Sequence, residues 1–381
     1  MGRVLGPGLL CVAGFADGCS AVELGYDEAM KPAKLLAVAA QQGDLPEMRE
    51  MLAAHPGLAK DWQPIMDACF IGQVEAVELL LDAGADPNVV SKAASKYRPL
   101  HRTIEPKITT PRDERHVRIV GILLDRGADP MLRGAYNSVS AVAMAALAGE
   151  QRFLDLLLPR TAELDVYHVA ALGDVERVKI FVATDSSLAT SRDENGMNAL
   201  DYASRSKCIG AREVVRLLVE AGADPSNALD GVVYRNDVEL TALFLSKGAT
   251  IQDGDTLNHA ACEGAHATLD LLVKAGVDLN KTEGTEHHGG YTPFGCTLTM
   301  RNIRGATWFL DHWVDPNFVG GSSGESSLHV AVRSGGGPPL LKLLLDRGAD
   351  AKALDGAGKT PLVAAREKGN HKAVKFLEGN S

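Results

Sequence analysis

A nine-residue phrase returns along this chain, and no ordinary globular core calls for such recurrence. Leu80-Leu81-Asp82-Ala83-Gly84-Ala85-Asp86-Pro87-Asn88 is echoed at Leu123–Pro130, at Leu218–Pro225 and at Leu344–Asp350. Weaker copies surround Gly248 and Gly276. Apolar residues stand seven, four and three positions before the glycine: Val77, Leu80, Leu81; Val120, Leu123, Leu124; Leu269, Leu272, Val273; Leu341, Leu344, Leu345. That spacing puts all three on one face of a helix. The glycine then ends the helix in a left-handed conformation at little cost. Asp-Pro-Asn beyond it is turn chemistry. Self-similarity on this scale predicts an array of small units rather than one core.

A second, shorter apolar segment precedes each such helix. Arg98-Pro99-Leu100-His101, Thr292-Pro293-Phe294, Ser327-Leu328-His329-Val330-Ala331 and Thr360-Pro361-Leu362-Val363-Ala364-Ala365 are the clearest. Proline fits the first helical turn, where its missing N–H is not needed, and the alanines let a short helix lie close to its neighbour. The pattern resembles the ankyrin repeat over residues 35–379. The resemblance implies an all-α repeat solenoid, an ankyrin-repeat stack of helix–turn–helix units with hairpin fingers. About eleven units are expected, several degenerate. Their first helices begin near Leu35, Pro64, Pro99, Ser140, Asp165, Asn198, Ala228, Thr256, Thr292, Ser327 and Thr360. One repeat domain is expected over residues 34–379, closed by a polar last helix from His371 to Glu378. Residues 1–33 read as a poorly ordered leader. A secretory or lipoprotein signal has a similar outline, but Gly6, Pro7, Gly8 and Gly14 interrupt the apolar run and Asp17 sits near any cleavage point.

Departures from the pattern point to function, because a plain repeat needs none of them. The third unit spans 29 residues from Arg98 to Gly127, against 21 from Ser327 to Gly348, and Pro106 and Pro111 mark the extra loop. Such a loop is a binding element or simple drift. The finger from Gly276 to Thr292 is lengthened to 16 residues, against 12 from Gly348 to Thr360. His287 and His288 on it either ligate or shuttle protons or decorate a solvated fingertip, the plainer reading. Trp313 stands where the pattern wants glycine, and with Trp308 it reads as packing between helices. Ala353–Thr360 mimics a nucleotide-binding loop, but that mechanism needs a strand before the loop. The repeat explains every residue, so ATP binding is rejected.

In ankyrin proteins the two residues before the glycine of the first helix line the concave groove. Here the resemblance places Tyr234 and Arg235, Cys262 and Glu263, Thr299 and Met300, Arg333 and Ser334 there, with Arg301 adjacent. The expected partner-binding groove is thus Tyr234, Arg235, Cys262, Glu263, Met300, Arg301 and Arg333. Its arginines suit an acidic peptide through two-pronged contacts. His101 and His329 occupy the signature histidine position, whose family role is to bond a neighbouring finger's backbone.

Composition narrows the function. With 39 Lys plus Arg against 49 Asp plus Glu, the net charge is −10, and a nucleic-acid surface built on clustered cations is not expected. No stretch reaches the ~18–20 apolar residues of a membrane span. Six scattered cysteines without a C-x-x-C pair fit a reducing, cytoplasmic setting. No cofactor, metal or catalysis is expected. The chain reads as an interaction scaffold for a partner protein or peptide. The alternative is a small-molecule-binding protein or enzyme in the seventh to tenth units, using Glu263, His259, His287 and His288 with the His287–His288 loop as lid.

Overall fold

The computed structural model describes residues 32–93, 95–105, 112–135, 138–161, 163–250, 256–257, 260–261, 264–280, 290–312, 314–321 and 323–380. The chain divides into two compact units between Ala223 and Asp224. Each is a run of stacked helix pairs, the all-α repeat solenoid that the sequence pattern implies.

Among the described residues of the first unit, six pairs follow one another. They are Pro32–Gln42 with Leu45–Ala54, Trp62–Ile71 with Val74–Asp82, and Pro99–Ile104 with Glu114–Asp125; then Ala141–Ala148 with Gln151–Leu157, Val166–Leu172 with Val175–Thr184, and Ala199–Arg205 with Ala211–Glu220. In the second unit Leu229–Tyr234 pairs with Val238–Ser246, and helical residues 256–257 and 260–261 precede His266–Lys274. Pro293–Thr299 with Ile303–Asp311, Ser327–Arg333 with Pro338–Asp346, and Pro361–Glu367 with His371–Glu378 complete it. Among the described residues, ten first helices begin within three residues of the expected starts.

Local chemistry explains the bounds. Thr292 and Thr360 cap their helices by accepting backbone N–H bonds, with proline in the first turn. Asp44, Asp174, Asp237, Asn302 and Asn370 do the same for second helices. Gly84, Gly127, Gly222, Gly248, Gly276 and Gly348 end second helices at φ between 84° and 93°. A Cβ on Gly84 or Gly348 would meet nothing within 4 Å, so the dihedral demands glycine there, not crowding.

Within each unit the helices stack on their sequence neighbours, first on first and second on second. The core is built mainly of Ala, Val and Leu. Ala141, Ala143, Ala145 and Ala146 are all buried in one short helix, while Phe153, Phe244, Phe294 and Phe309 are the largest fully buried side chains. Each pair has an apolar face that only the next pair covers. The fingers join the pairs, as the antiparallel strands Arg133–Gly134 and Val139–Ser140 show.

Candidate functional site

The turn after each first helix is where this fold leaves residues to choice. In most pairs its left-handed position is glycine: Gly43, Gly72, Gly149 and Gly173 in the first unit, Gly264, Gly335 and Gly369 in the second, with φ from 69° to 86°. Two described pairs keep the left-handed turn with another residue. Asn236 takes the position at φ 51° and Arg301 at φ 55°. Asparagine tolerates this region, whereas a long side chain with a Cβ costs about 1–2 kcal/mol there. The Arg301 side chain is exposed and makes no hydrogen bond or ion pair among the described residues, its backbone N–H alone bonding Leu298 O at 3.0 Å. Met300 and Ile303 on either side are each 42% exposed, which is high for large apolar side chains in this molecule.

Arg333, the other arginine of the expected groove in this region, behaves differently. Its guanidinium bonds Glu325 through one nitrogen and Asp355 Oδ2 at 2.6 Å through another. Tyr291 Oη donates to Glu325 Oε2 at 2.7 Å, and Ser323 Oγ to the same oxygen at 2.6 Å. Asp355 Oδ1 accepts the backbone N–H groups of Ala357 and Lys359, each at 2.9 Å. Burial pushes the Glu325 carboxyl up, but the bonds from Ser323 and Tyr291 and the charge of Arg333 outweigh it and hold it below its ordinary range. Burial and the adjacent Glu325 carboxylate push the Tyr291 phenol up to about 12. Arg333 is therefore a strut that ties three successive fingers of the second unit.

The first unit uses the same device. Arg133 bonds Asp193 Oδ2 at 3.0 Å, Tyr202 donates to that oxygen at 2.8 Å, and Asp193 Oδ1 accepts from the backbone of Asn195 and Met197 at 2.9 Å each. His101 and His329 reach carbonyl oxygens of the next finger, Val139 and Lys359, at 2.8 Å each, as the resemblance implies. Lys359 itself is held by Glu367 at 2.7 Å. The phosphate-loop lookalike is a finger turn with its lysine engaged.

The extra loop of the third unit has its tip, residues 106–111, outside the described residues, but both feet are built. Arg112 donates to the carbonyl oxygens of Glu105 at 2.8 Å, Phe70 at 2.9 Å and Arg102 at 3.1 Å, and approaches His116 Nε2 at 3.1 Å. Tyr97 Oη bonds the buried Glu105 carboxylate, and the Arg102 guanidinium lies 4.0 Å from the Phe70 ring centre. Burial brings Arg112 down to about 10, so it is charged at neutral pH. It closes the exposed carbonyl ends of two first helices, the work a glycine turn does elsewhere.

Of the other expected site residues, Tyr234 ends its helix and Arg235 follows it, both half-buried. His259, Cys262, Glu263, His287, His288 and Trp313 lie outside the described residues. Trp308 packs with its indole N–H on Asp270 Oδ1 at 2.9 Å and its ring 3.9 Å from that of His312. Among the described residues no group of three His, Cys, Asp or Glu could hold a metal ion, and no helix is long and apolar enough to cross a membrane. Sequence reading missed the Arg112 closure and the Glu325 network, which draw together residues as far apart as Phe70 and Arg112, or Tyr291 and Glu325.

A family model described as Ankyrin repeat matches residues 60–92, 195–231 and 323–356. The chain is 36% identical over 234 residues to the phosphate system positive regulatory protein PHO81 of Saccharomyces cerevisiae, covering 56% of this chain and 20% of that protein. It is 31% identical over 351 residues to the ankyrin repeat domain-containing protein SAT10 of Stachybotrys chartarum, covering 84% of this chain and 16% of that protein. The chain thus spans a fifth or less of the length of these two relatives. A crystal structure of the human ASB11 ankyrin repeat domain aligns with TM-score 0.48 and 19% identity over 57% of this chain and 98% of that one. With three family matches lying on helix pairs and fingers of the kind described above, this chain is an ankyrin-repeat protein.

Proposed function

We propose that residues 34–379 serve as an interaction scaffold that binds a partner protein or peptide through the ends of the first helices and the fingertips, without catalysis. Ankyrin repeats generally mediate protein binding, and this chain adds one observation that carries the reading. Arg301 occupies a glycine position at a conformational cost, and its side chain bonds none of the described residues. The groove of the reading includes Tyr234, Arg235, Met300 and Arg301, with Cys262 and Glu263 expected from the repeat register and Arg333 behind them as a strut. A cytoplasmic setting fits the free thiols of Cys69, Cys208 and Cys296.

Affinity capture on the intact chain, followed by a binding titration with the purified partner, tests this. Arg301→Glu is expected to lower partner affinity while leaving the thermal unfolding profile intact. Equal affinity for both chains counts against the groove. The small-molecule alternative draws no support from the described clefts. Two shallow described clefts lie elsewhere, one at Arg177, Ile180, Phe181, Thr184 and Leu188, the other around Pro338 and Phe376.

A further inference from the structure

We infer that Arg301 is the anchor for a carboxylate on a bound peptide, and that Met300 and Ile303 seat a long apolar side chain of the same peptide. This rests on the groove reading and narrows it to a class of ligand. Four observations converge. The backbone of Arg301 is left-handed at φ 55°, where Gly335 and Gly369, in the two following pairs of the same unit, use glycine at 79° and 70°. The side chain is exposed and unpaired among the described residues. Its Nη1 runs beside Gly335, 3.8 Å from where a Cβ on that glycine would stand, so no neighbouring side chain at that position crowds the cation.

The fourth observation is charge. Residues 292–310 hold Arg301 and Arg304 and no acidic residue, although the chain as a whole carries a net charge of −10. Arg304 is exposed in the first turn of helix Ile303–Asp311. Two cations on an otherwise acidic molecule form a local positive spot that selects a negative ligand. A guanidinium offers a carboxylate two parallel N–H donors, and the 42% exposure of Met300 and of Ile303 supplies apolar contact on both flanks. A flexible thioether adapts to varied apolar side chains, so the recognised feature is an acidic residue near a Leu, Met or Phe rather than one fixed sequence.

The test uses the full chain, immobilised and probed with an arrayed library of random twelve-residue peptides at low and at raised salt. Retained peptides are expected to be enriched in Asp or Glu within four positions of Leu, Met or Phe, and to be released by salt. Arg301→Gln and Arg301→Gly are each expected to weaken retention about tenfold, and Arg301→Glu to favour peptides bearing Lys or Arg. The glycine variant fits the left-handed turn, so its loss of retention cannot come from misfolding. Retention with no acidic preference, or with the preference unchanged in Arg301→Gln, overturns the anchor but spares the groove. A wild-type chain that retains no peptide overturns both.

Discussion

Two turns of this molecule solve the same problem with the same residue type in opposite ways. After helix Pro99–Ile104 of the first unit, the chain forgoes a glycine turn and sends Arg112 back to close three carbonyl oxygens. After helix Pro293–Thr299 of the second unit, Arg301 is itself the turn, strained and without a partner among the described residues. Arg112 is 8% exposed, and its guanidinium is taken up by three carbonyl oxygens and the His116 ring. Arg301 faces solvent. A cation fully committed to its own backbone holds the fold, and one kept at a conformational cost with nothing to hold is available to a partner.

The widest gap between the two should appear in stability. Arg112→Met removes the guanidinium donors from the carbonyls of Phe70, Arg102 and Glu105, leaving Phe70 only the longer contact of His116 Nε2 at 3.3 Å, and leaves the buried Glu105 carboxylate with less compensating charge. A loss of about 3 kcal/mol is expected, read as a lower denaturant midpoint, with the first unit unfolding earlier. An unchanged midpoint would show that water or the loop tip satisfies those oxygens, and the contrast would collapse.

Arg333 sharpens the contrast from within the second unit, because it belongs to the expected groove yet behaves like Arg112. Arg333→Met is expected to cost roughly 2 kcal/mol by leaving Glu325 without its counter-ion. The acid response follows from the same geometry. The Glu325 carboxyl is held below its ordinary range in the folded state. Its contribution is therefore full above the unfolded value of about 4.3 and disappears as pH falls through the lower folded value. Unfolding measured from pH 7 down should stay flat to about pH 5 and then weaken, and the variant should show a shallower acid loss. Equal acid sensitivity in both chains would mean that other carboxylates carry it.

How much of this was legible follows from the range of each interaction. The helix pairs are encoded within a few residues, by Thr-Pro at one end and Gly-Ala-Asp at the other, so starts such as Pro99, Ser327 and Thr360 can be read directly. His101 and His329 are legible because their partners recur at a fixed repeat distance. Arg333 reads from sequence as a free groove cation, since nothing local reveals that Glu325 and Asp355, eight and twenty-two residues away, converge on it. Arg112 is hidden for the same reason, in a loop whose length disguises its purpose. Arg301 is half legible: aligning the pairs puts it opposite Gly264 and Gly335, but its lack of a partner needs coordinates.

The smallest expected effect is also the most telling, because its sign is reversed. Arg301→Gly relieves a left-handed backbone that costs a residue with a Cβ about 1–2 kcal/mol, while glycine loosens the unfolded chain by roughly 0.5–1 kcal/mol in the other direction. The net should be a gain of about 0.5 kcal/mol, visible as a slightly raised midpoint for the second unit. Arg301→Ala keeps the strain and removes the charge, so it should move stability little in either direction. If glycine stabilises and alanine does not, the cost lies in the backbone and the arginine is retained for something other than folding. If both destabilise, the side chain is bracing the turn, and Arg301 joins Arg112 and Arg333 among the residues that hold the molecule together.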